Sequence, residues 1–440
     1  MVITFLKFFP RGLPINARAK GADVTNCQFV FPGTNVYICT PSFRTMSKYN
    51  FDEIIPRRGT ASVKWDLFEE DTLPLWVADM DFKAAPPILE ALRSRLDHGV
   101  FGYELVPQSY YDAISGWFSR RHGWTGITRE HLIPTTGVIA AYAACIKAFS
   151  RPGDNVIVQT PCYNAFFPAI RNNGCRELCN NLVYRNNTYS IDWEDLRAKA
   201  ADPKTTVMLL CNPQNPAGRV WTRAELERLG RICLENGVFV ISDEIHCELT
   251  YPGHDYTPFA TLPEEIVRHS ASCISPTKAF NIAGIQIANV FAADPDAVRR
   301  IDRAINDNEC CDVNVFGCAA LEAAYNESEA WLDELRAYLY DNAKLVYRFL
   351  EEELPGVTAL PLEGTYLMWL DCRAALREGE PFEGFSERFA NHLRHNAGLV
   401  LSTGTIYGPG AEGFERLNIA CPRATLTEAL GRLKKGFLTY

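Results

Sequence analysis

The feature that most constrains the fold is a strand–helix–strand unit in the middle of the chain. Residues 206–211 form a continuous apolar run, as buried parallel strands do, and residues 238–242 form a second one. Between them, Thr222 and Glu225 make the capping-box pattern that opens a helix, and Gly237 is placed to end it. This spacing predicts a right-handed crossover between parallel strands. We therefore expect an open, mostly parallel α/β sheet covered by helices.

Helix and strand signals alternate along the chain on both sides of this unit. A helix that opens at Pro86 and closes at Gly99 carries one apolar face. The residues on that face are Ile88, Leu89, Leu92 and Leu96. Residues 132–136 and 155–159 are predicted to be short strands, and residues 137–149 an apolar helix. After residue 327 the pattern changes.

A long helix is predicted from about Ser328 to Glu353, with an apolar stripe that indicates core. Short strands near Leu399 and over residues 416–421 follow, and a last helix begins at Thr425. This arrangement predicts a smaller α+β domain at the end of the chain.

Composition excludes several classes of function. The chain has 440 residues, of which 47% are hydrophobic, and a net charge of -9, which argues against nucleic acid as the main ligand. Its 15 cysteines are scattered without a CxxC pair, so we expect neither a metal site nor a disulfide framework. Buried thiols in a reducing cytosol explain them better, and no apolar run is long enough to span a bilayer. We predict a cytoplasmic protein without a membrane partner.

The first 45 residues differ from the rest. They contain five basic residues against a single acid, Asp23, and show no clear helical or strand period. Prolines interrupt their only apolar stretch, which argues against a targeting segment. We expect a flexible or upstream-misread extension, with Met46 as the natural start.

Lys278 is the most informative single residue. It lies between a small-residue strand, 270–275, and an apolar run, 284–292. A lysine in such a place loses hydration, which lowers its pKa and lets it act as a nucleophilic amine. For an isolated lysine, a strand end that reaches water is the commoner explanation. The motifs around it favour chemistry.

Two of these motifs are placed beyond the carboxyl ends of predicted strands, where ligands bind in such sheets, and a third leads into a helix. Asp243 could cap a turn, or it could hold the protonated nitrogen of a pyridine ring. Asn215, in a turn-rich loop, could be a plain polar residue or donate to a phenolate oxygen. Gly137 and Val138 open a helix whose N–H groups would receive a phosphate.

Two further residues complete the pattern. Ser275 could add a hydroxyl to the same phosphate. Arg416, on an alternating strand, suits a substrate carboxylate through two parallel hydrogen bonds, with a surface salt bridge as the alternative. Together with Lys278 and Asp243, these residues describe a site for pyridoxal 5′-phosphate, a phosphorylated pyridine aldehyde.

An ordered set of motifs carries a specific resemblance. The motifs are Trp76-Val-Ala-Asp-Met-Asp-Phe82, Phe101-Gly-Tyr103, Thr136-Gly-Val138, Thr160-Pro-Cys-Tyr163, Asn212-Pro-Gln-Asn-Pro-Ala-Gly-Arg-Val-Trp221, Ser242-Asp-Glu-Ile-His246, Ser275-Pro-Thr-Lys-Ala-Phe-Asn281, Gly364-Thr-Tyr-Leu-Met-Trp-Leu370 and Arg416-Leu-Asn-Ile-Ala420. From about Tyr49 to its end, the chain resembles the fold-type I pyridoxal-phosphate enzymes of the class I/II aminotransferase superfamily. Within them it is similar to the cystathionine β-lyase group of the MalY/PatB type.

The resemblance implies a large, mostly parallel α/β domain of the seven-stranded type and a smaller α+β C-terminal domain. It also implies the boundaries between the domains. Residues 1–45 would be the extension, 46–90 a segment packing on the small domain, 91–327 the large cofactor-binding domain and 328–440 the small domain.

The resemblance also implies roles for the candidate residues. Lys278 would form a Schiff base with the cofactor, Asp243 would pair with its ring nitrogen, and Tyr163 would stack on the ring. The other contacts would be Asn215 to the ring's O3′, Gly137, Val138 and Ser275 to the phosphate, and Arg416 to the substrate's α-carboxylate. Tyr103 would reach the phosphate of a neighbouring subunit, which implies a homodimer with shared active sites.

Two positions depart from the aminotransferase pattern. Gln286 stands where those enzymes often carry an arginine on the phosphate, and His246, which we count among the cofactor-binding residues, replaces a tyrosine. Both departures fit the lyase group, whose reaction on L-cystathionine or related thioethers gives a thiol, pyruvate and ammonia.

An aminotransferase of amino acids is the nearest alternative to a lyase. A serine acyl-enzyme is another, because Ser275 and Lys278 also spell an S-x-x-K motif. A third alternative is a non-catalytic regulatory protein on the same fold.

Overall fold

The computed structural model describes residues 48–307 and 312–440, together with the backbone of two short strands that precede them. These strands, β1 (Cys27–Phe29) and β2 (Tyr37–Cys39), pair antiparallel within a separate unit, Met1–Tyr49. Apart from this strand pair, the extension predicted over residues 1–45 lies outside the described residues. A second unit, Asn50–Tyr440, contains all the other elements.

The helices of this unit alternate with its strands. They are α1 (Val63–Asp66), α2 (Pro86–His98), α3 (Gln108–His122), α4 (Val138–Phe149), α5 (Phe166–Asn172), α6 (Trp193–Ala200), α7 (Arg223–Glu235), α8 (Glu264–Val267), α9 (Pro295–Asn306), α10 (Val315–Glu327), α11 (Glu329–Glu353), α12 (Phe385–His392) and α13 (Arg423–Thr439). Within the described ranges, none of the helices has both the length and the apolar character needed to cross a membrane.

The strands form one large sheet, one small sheet and two short pairs. They are β3 (Leu73–Pro74), β4 (Leu132–Thr135), β5 (Asn155–Thr160), β6 (Arg176–Asn181), β7 (Val183–Arg185), β8 (Thr188–Ser190), β9 (Thr205–Cys211), β10 (Phe239–Asp243), β11 (Ser270–Ile274), β12 (Ala288–Phe291), β13 (Thr358–Ala359), β14 (Leu367–Asp371), β15 (Leu399–Val400), β16 (Ser402–Thr403) and β17 (Phe414–Asn418).

The large sheet has seven strands in the order β4-β12-β11-β10-β9-β5-β6. The run from β11 to β6 is parallel, while β12 is antiparallel to both of its neighbours. The predicted mostly parallel α/β architecture is therefore confirmed. Helices α4, α5 and α9 pack on one face of this sheet and bury a continuous apolar core.

The strand–helix–strand unit that opened the sequence argument is β9, α7 and β10. The Thr222 side chain accepts from the Glu225 N–H and the Glu225 carboxylate accepts from the Thr222 N–H, so the capping box is complete. Cys211 and Asp243, the last residues of the two strands, are register partners. The loops that follow β4 and β11 open at the same edge of the sheet, because β4, β9, β10 and β11 all point the same way.

The predicted apolar face of α2 is only partly buried within the chain. Ile88 is buried, as its position predicts, whereas Leu96 is 61% exposed. Gly99 ends the helix in a left-handed conformation (φ +72°), as expected for a glycine C-cap. The helix itself is confirmed, and its outer apolar residues face away from the core of this chain.

The C-terminal region contains the small sheet, in the order β13-β14-β17-β16, together with α11, α12 and α13. Its strand β17 (Phe414–Asn418) begins two residues before the predicted strand over 416–421. Residues 50–90 reach this region through the pairing of β3 with β15, and the Asn418 amide donates to the Val77 and Asp79 carbonyls (2.6 Å each). The division of the chain at residue 328 into two domains stays a prediction.

Candidate active site

A cavity of about 400 Å³ opens at the carboxyl edge of the large sheet. Its lining combines residues that follow four different strands: Thr136 after β4, Cys211 at the end of β9, Asp243 at the end of β10 and Lys278 after β11. Convergence of polar groups from several strand ends is what an open α/β sheet offers to a ligand.

The amine of Lys278 is held at this cavity by one backbone group. Its Nζ donates to the Ala78 carbonyl at 2.6 Å, and the Tyr366 hydroxyl donates to the same oxygen at 2.8 Å. Burial, and then the nearby Arg416 guanidinium, lower the pKa of Lys278 to about 8. About a tenth of this amine is therefore uncharged at pH 7, far more than for an ordinary lysine, and the uncharged form is what a nucleophile or base requires.

Asp243 is the acid of the cavity and is 3% exposed. Burial raises the pKa of Asp243 to about 7, with a further contribution from Glu244, while the Ile245 N–H and Lys278 oppose the change. Its Oδ1 accepts from the Ile245 N–H at 3.1 Å. A buried carboxylate of this kind gains most from a cationic N–H donor supplied by a ligand.

The start of α4 is where the sequence predicts a phosphate cradle. Thr136, Gly137 and Val138 line the cavity, and the backbone N–H groups of the first helical turn have no partner within the helix. Thr277, which was not predicted, lines the cavity from the opposite loop.

Ser275 lies behind Thr277. Its hydroxyl donates to the Ile287 carbonyl (2.7 Å) and is 2.7 Å from the Thr277 hydroxyl. The side chain is buried at 2% exposure. These contacts argue against Ser275 as the nucleophile of a serine acyl-enzyme, because the hydroxyl is already engaged and shielded.

Three predicted residues form the walls beside Asp243 and Lys278. Tyr163, Asn215 and His246 all line the cavity. Burial, reinforced by the charges of Lys278 and Arg416, lowers the pKa of His246 to about 3, so its ring is neutral. Its Nδ1 is buried and has no hydrogen-bond partner.

Arg416 stands next to this wall. Its Nη1 donates to the Asn215 Oδ1 at 3.0 Å and its Nη2 to the Trp76 carbonyl at 2.8 Å, while its buried Nε has no partner. The Asn215 amide is thereby oriented with its oxygen toward Arg416, which leaves its N–H₂ group to face another acceptor.

Three predicted site residues do not line the cavity: Ser275 and Arg416, which hydrogen-bond to residues of its lining, and Tyr103. Tyr103 is 99% exposed, in the segment between α2 and α3. Its predicted contact with the site of a neighbouring subunit stays a prediction. Gln286 lines the cavity, in a left-handed backbone conformation (φ +55°).

The donor set fits pyridoxal 5′-phosphate. An amine of lowered pKa, a buried acid and a helix N-terminus surround one cavity, and two residues of its lining, Tyr142 and His246, carry buried polar atoms without partners. An aldehyde, a pyridine nitrogen and a phosphate are the groups that such donors and acceptors would satisfy.

Sequence reasoning missed several residues of the cavity. Ala78 acts through its backbone carbonyl, which no side-chain pattern reveals. Tyr142 was assigned to an apolar helix, and Cys211 to the end of an apolar strand. Tyr142 follows the Thr136-Gly-Val138 motif by one helical turn, and Cys211 directly precedes the motif that begins at Asn212. This proximity was the signal that could have found them.

Comparison with known proteins gives the family context. The model of the family described as aminotransferase class I and II matches residues 70–433. Cystathionine β-lyase PatB of Bacillus subtilis is 42% identical over 391 residues, which cover 88% of this chain and 99% of that protein. Protein MalY of Escherichia coli is 32% identical, with coverage of 88% and 98%.

Solved structures agree with this assignment. Cystalysin from Treponema denticola, which contains a pyridoxal 5′-phosphate cofactor, superposes with a TM-score of 0.84 at 33% identity, covering 89% of this chain and 99% of that one. The pyridoxal-phosphate-bound C–S lyase from Staphylococcus hominis gives a TM-score of 0.82 at 33% identity, with coverage of 89% and 99%.

Proposed function

Because the chain belongs to the aminotransferase class I and II family, we propose that it is a pyridoxal 5′-phosphate-dependent carbon–sulfur β-lyase. Its substrate would be L-cystathionine or a related cysteine thioether, and its products a thiol, pyruvate and ammonia. The observation that carries the lyase reaction is the 42% identity to PatB over 99% of that protein's length.

We assign the site residues the following roles. Lys278 attaches the cofactor, Asp243 pairs with its ring nitrogen, and Tyr163 stacks on the ring. The remaining contacts are Asn215 and His246 near the phenolate oxygen, Gly137 and Val138 at the phosphate, Arg416 at the substrate's α-carboxylate, and Tyr103 at the phosphate of a second subunit. Ser275 reaches the phosphate once its hydroxyl turns away from the Ile287 carbonyl.

The reaction needs a proton to leave the substrate's Cα. When bound, the cofactor withdraws electrons from that carbon and makes its proton acidic. The amine of Lys278, with a pKa of about 8, takes this proton. Arg416 holds the carboxylate, which orients the Cα–H bond toward the amine, and loss of the sulfur group from Cβ then follows.

The Ala78 carbonyl gives the freed amine a fixed position between these events. It accepts from Lys278 Nζ at 2.6 Å and is itself held by Tyr366. An amine anchored in this way keeps one side-chain conformation, so it stays within reach of the reacting carbon.

We also infer that the enzyme is a homodimer with shared active sites. Leu96, Val100, Phe101, Tyr103 and Leu105 are all more than half exposed and follow one another along α2 and the segment after it. A contiguous apolar surface of this kind marks a protein interface, and a second copy supplies the matching surface.

The cytoplasm is the proposed location. The cysteines from Cys145 to Cys421 that the structure describes are free thiols. Free thiols in this number suit a reducing compartment.

A substrate panel tests the lyase reaction. Purified protein is incubated with cystathionine, cysteine, cystine and alanine, and pyruvate and thiol are both measured. We expect pyruvate from cystathionine in step with homocysteine, and none from alanine. A normal cofactor spectrum without pyruvate from any thioether would remove the lyase proposal.

An aminotransferase is the second candidate, because the matching family model covers enzymes of that name and the same Cα deprotonation starts both reactions. Exchange of amino groups that depends on an added keto acid, without elimination of thiol, would favour it.

Replacement of Lys278 tests the centre of the proposal. We expect Lys278→Ala to lose the visible absorbance of the attached cofactor and at least about a thousandfold of the lyase rate, since both attachment and proton transfer are removed. Persistence of the absorbance band would show that another group holds the cofactor.

A further inference from the structure

Tyr142 is a buried tyrosine whose hydroxyl the protein leaves unsatisfied. It lies in the second turn of α4, is 0% exposed, and its OH has no hydrogen-bond partner. Such a group costs free energy, since the hydroxyl loses its hydrogen bonds to water and gains none. Phenylalanine would pack against the edge of Phe166 equally well and avoid that cost.

The hydroxyl belongs to the cavity of the candidate active site. Tyr142 lines that cavity together with Asp243, Tyr163 and Cys211. Burial, followed by the charge of Asp243, raises the pKa of the Tyr142 phenol, so this hydroxyl is a neutral donor within the electrostatic reach of that carboxylate. Tyr142 and Asp243 thus line the same cavity, and Gly137 and Val138, at the predicted phosphate end, lie one helical turn before Tyr142.

Asp243 has room for another donor. In the protein alone its carboxylate accepts from the Ile245 N–H, on Oδ1. An ionised carboxylate offers about four acceptor positions, and a pyridine nitrogen of a cofactor would use one of them. The charged form that must hold a protonated ring nitrogen is opposed by burial, so each added donor favours it.

We propose that Tyr142 is a positioning residue for Asp243: with the cofactor bound, its hydroxyl donates to the Asp243 carboxylate and holds it, charged and oriented, on the ring nitrogen. This inference rests on the proposed pyridoxal 5′-phosphate site. No bond is made or broken by Tyr142, and its effect passes entirely through Asp243.

The test compares two ligands in one variant, Tyr142→Phe. One ligand is pyridoxal 5′-phosphate, and the other is its analogue in which the ring nitrogen is replaced by a C–H group. Equilibrium dissociation constants are measured for both after removal of the bound cofactor and reconstitution. The two ligands share the aldehyde and the phosphate, so they differ only in the group that Asp243 binds.

We expect Tyr142→Phe to weaken binding of pyridoxal 5′-phosphate about tenfold or more, the usual effect of one hydrogen bond to a charged group. Binding of the analogue should change less than about twofold, since it offers Asp243 no ring nitrogen. The melting temperature of the cofactor-free variant should not fall, because the hydroxyl that is removed has no partner there.

Tyr110→Phe is the matched control. Its hydroxyl is also fully buried, but it bonds to Asn289 in the core. This control should lose stability and leave the ratio of the two dissociation constants unchanged.

Equal weakening of both ligands by Tyr142→Phe, or no weakening of either, would overturn the proposal. A wild-type protein that binds neither ligand would instead overturn the proposed function, so the two failures can be told apart.

Discussion

At the scale of single residues, Lys278 shows how position changes the chemistry of a side chain. Its pKa of about 8 arises from burial and from Arg416, a residue distant in sequence. The lysine itself and Asp243 could be identified from their motifs. Their environment could not, since it depends on Ala78, Tyr366 and Arg416 meeting in space.

The pH dependence of cofactor attachment follows from this pKa. Only the uncharged amine attacks an aldehyde, and its fraction rises with pH until the pKa has been passed. We expect the rate at which the cofactor-free protein takes up pyridoxal 5′-phosphate to rise with pH and to level off above about 8. Stopped-flow absorbance measures this rate. A profile that still rises steeply above pH 9.5 or so would indicate an ordinary lysine.

Glu415 offers a residue-scale prediction on stability. It neighbours Arg416 on β17, is 1% exposed, and neither carboxylate oxygen has a hydrogen-bond partner. Burial, with a smaller effect of Glu412, raises the pKa of Glu415 well above its usual value. The folded protein therefore keeps a proton that the unfolded chain has already released, and this site lowers stability as pH rises.

The variant Glu415→Gln has no such proton. Its stability relative to wild type should improve with pH by about 1.4 kcal/mol per unit between the unfolded and folded pKa values. Urea unfolding at about pH 5 and about pH 8 measures the difference. Glu351→Gln on the exposed side of α11 is the control, because water solvates that carboxylate in both states. A gain that is the same at both pH values would contradict a protonated Glu415.

At the scale of elements, the sequence predicted those features of helices and strands that depend on neighbouring residues. The capping box of α7, the glycine that ends α2 and the apolar runs of β9 and β10 were all recognisable, because each depends on neighbours in sequence. The antiparallel direction of β12 was not, since a short apolar run has the same appearance in either direction. Tyr142 was missed for a similar reason: within α4 its ring follows the helical apolar period, and only the hydroxyl marks it.

The segment that presents the Ala78 carbonyl is held by Asn281. The Asn281 side chain accepts from the Met80 N–H (2.9 Å) and donates to the Met80 and Phe82 carbonyls (3.0 and 2.7 Å). Its backbone has a φ of +54°, which asparagine and glycine tolerate better than other residues. This residue connects the loop of Lys278 to the segment that positions its amine.

We expect Asn281→Ala and Asn281→Gly both to lower the lyase rate, since both remove the three side-chain bonds. The alanine variant should be less stable than the glycine variant by about 1 kcal/mol, because only alanine resists the left-handed conformation. Urea unfolding midpoints and initial rates measure the two effects separately. Equal stability of the variants would mean that the loop relaxes out of this conformation.

At the scale of the whole molecule, the proposed second copy would cover the exposed face of α2 and Tyr103. A sequence pattern shows that Leu96 is apolar, but it cannot show whether its own chain or another covers it. Tyr103 is 99% exposed, and the sequence likewise cannot show which chain it contacts.

A mixture of two inactive variants tests whether the active site is shared between subunits. Lys278→Ala and Tyr103→Ala should each be nearly inactive alone. In a mixed dimer, one site combines an intact Lys278 with an intact Tyr103 from the other chain, so random pairing should restore roughly a quarter of wild-type activity. Sizing of the mixture confirms that dimers form. Activity that stays at the mean of the two separate variants would place Tyr103 outside its neighbour's site.

The hydrogen bonds of residues 76–79 have a consequence for how the protein is made. The carbonyls of Trp76, Val77 and Asp79 receive donors from Arg416 and Asn418, about 340 residues later. A ribosome releases the early segment long before its partners exist, so a growing chain cannot complete the pocket until nearly all of it has been synthesised. We therefore expect loading with the cofactor to be a late event in biosynthesis, which follows the synthesis of Arg416 and Asn418.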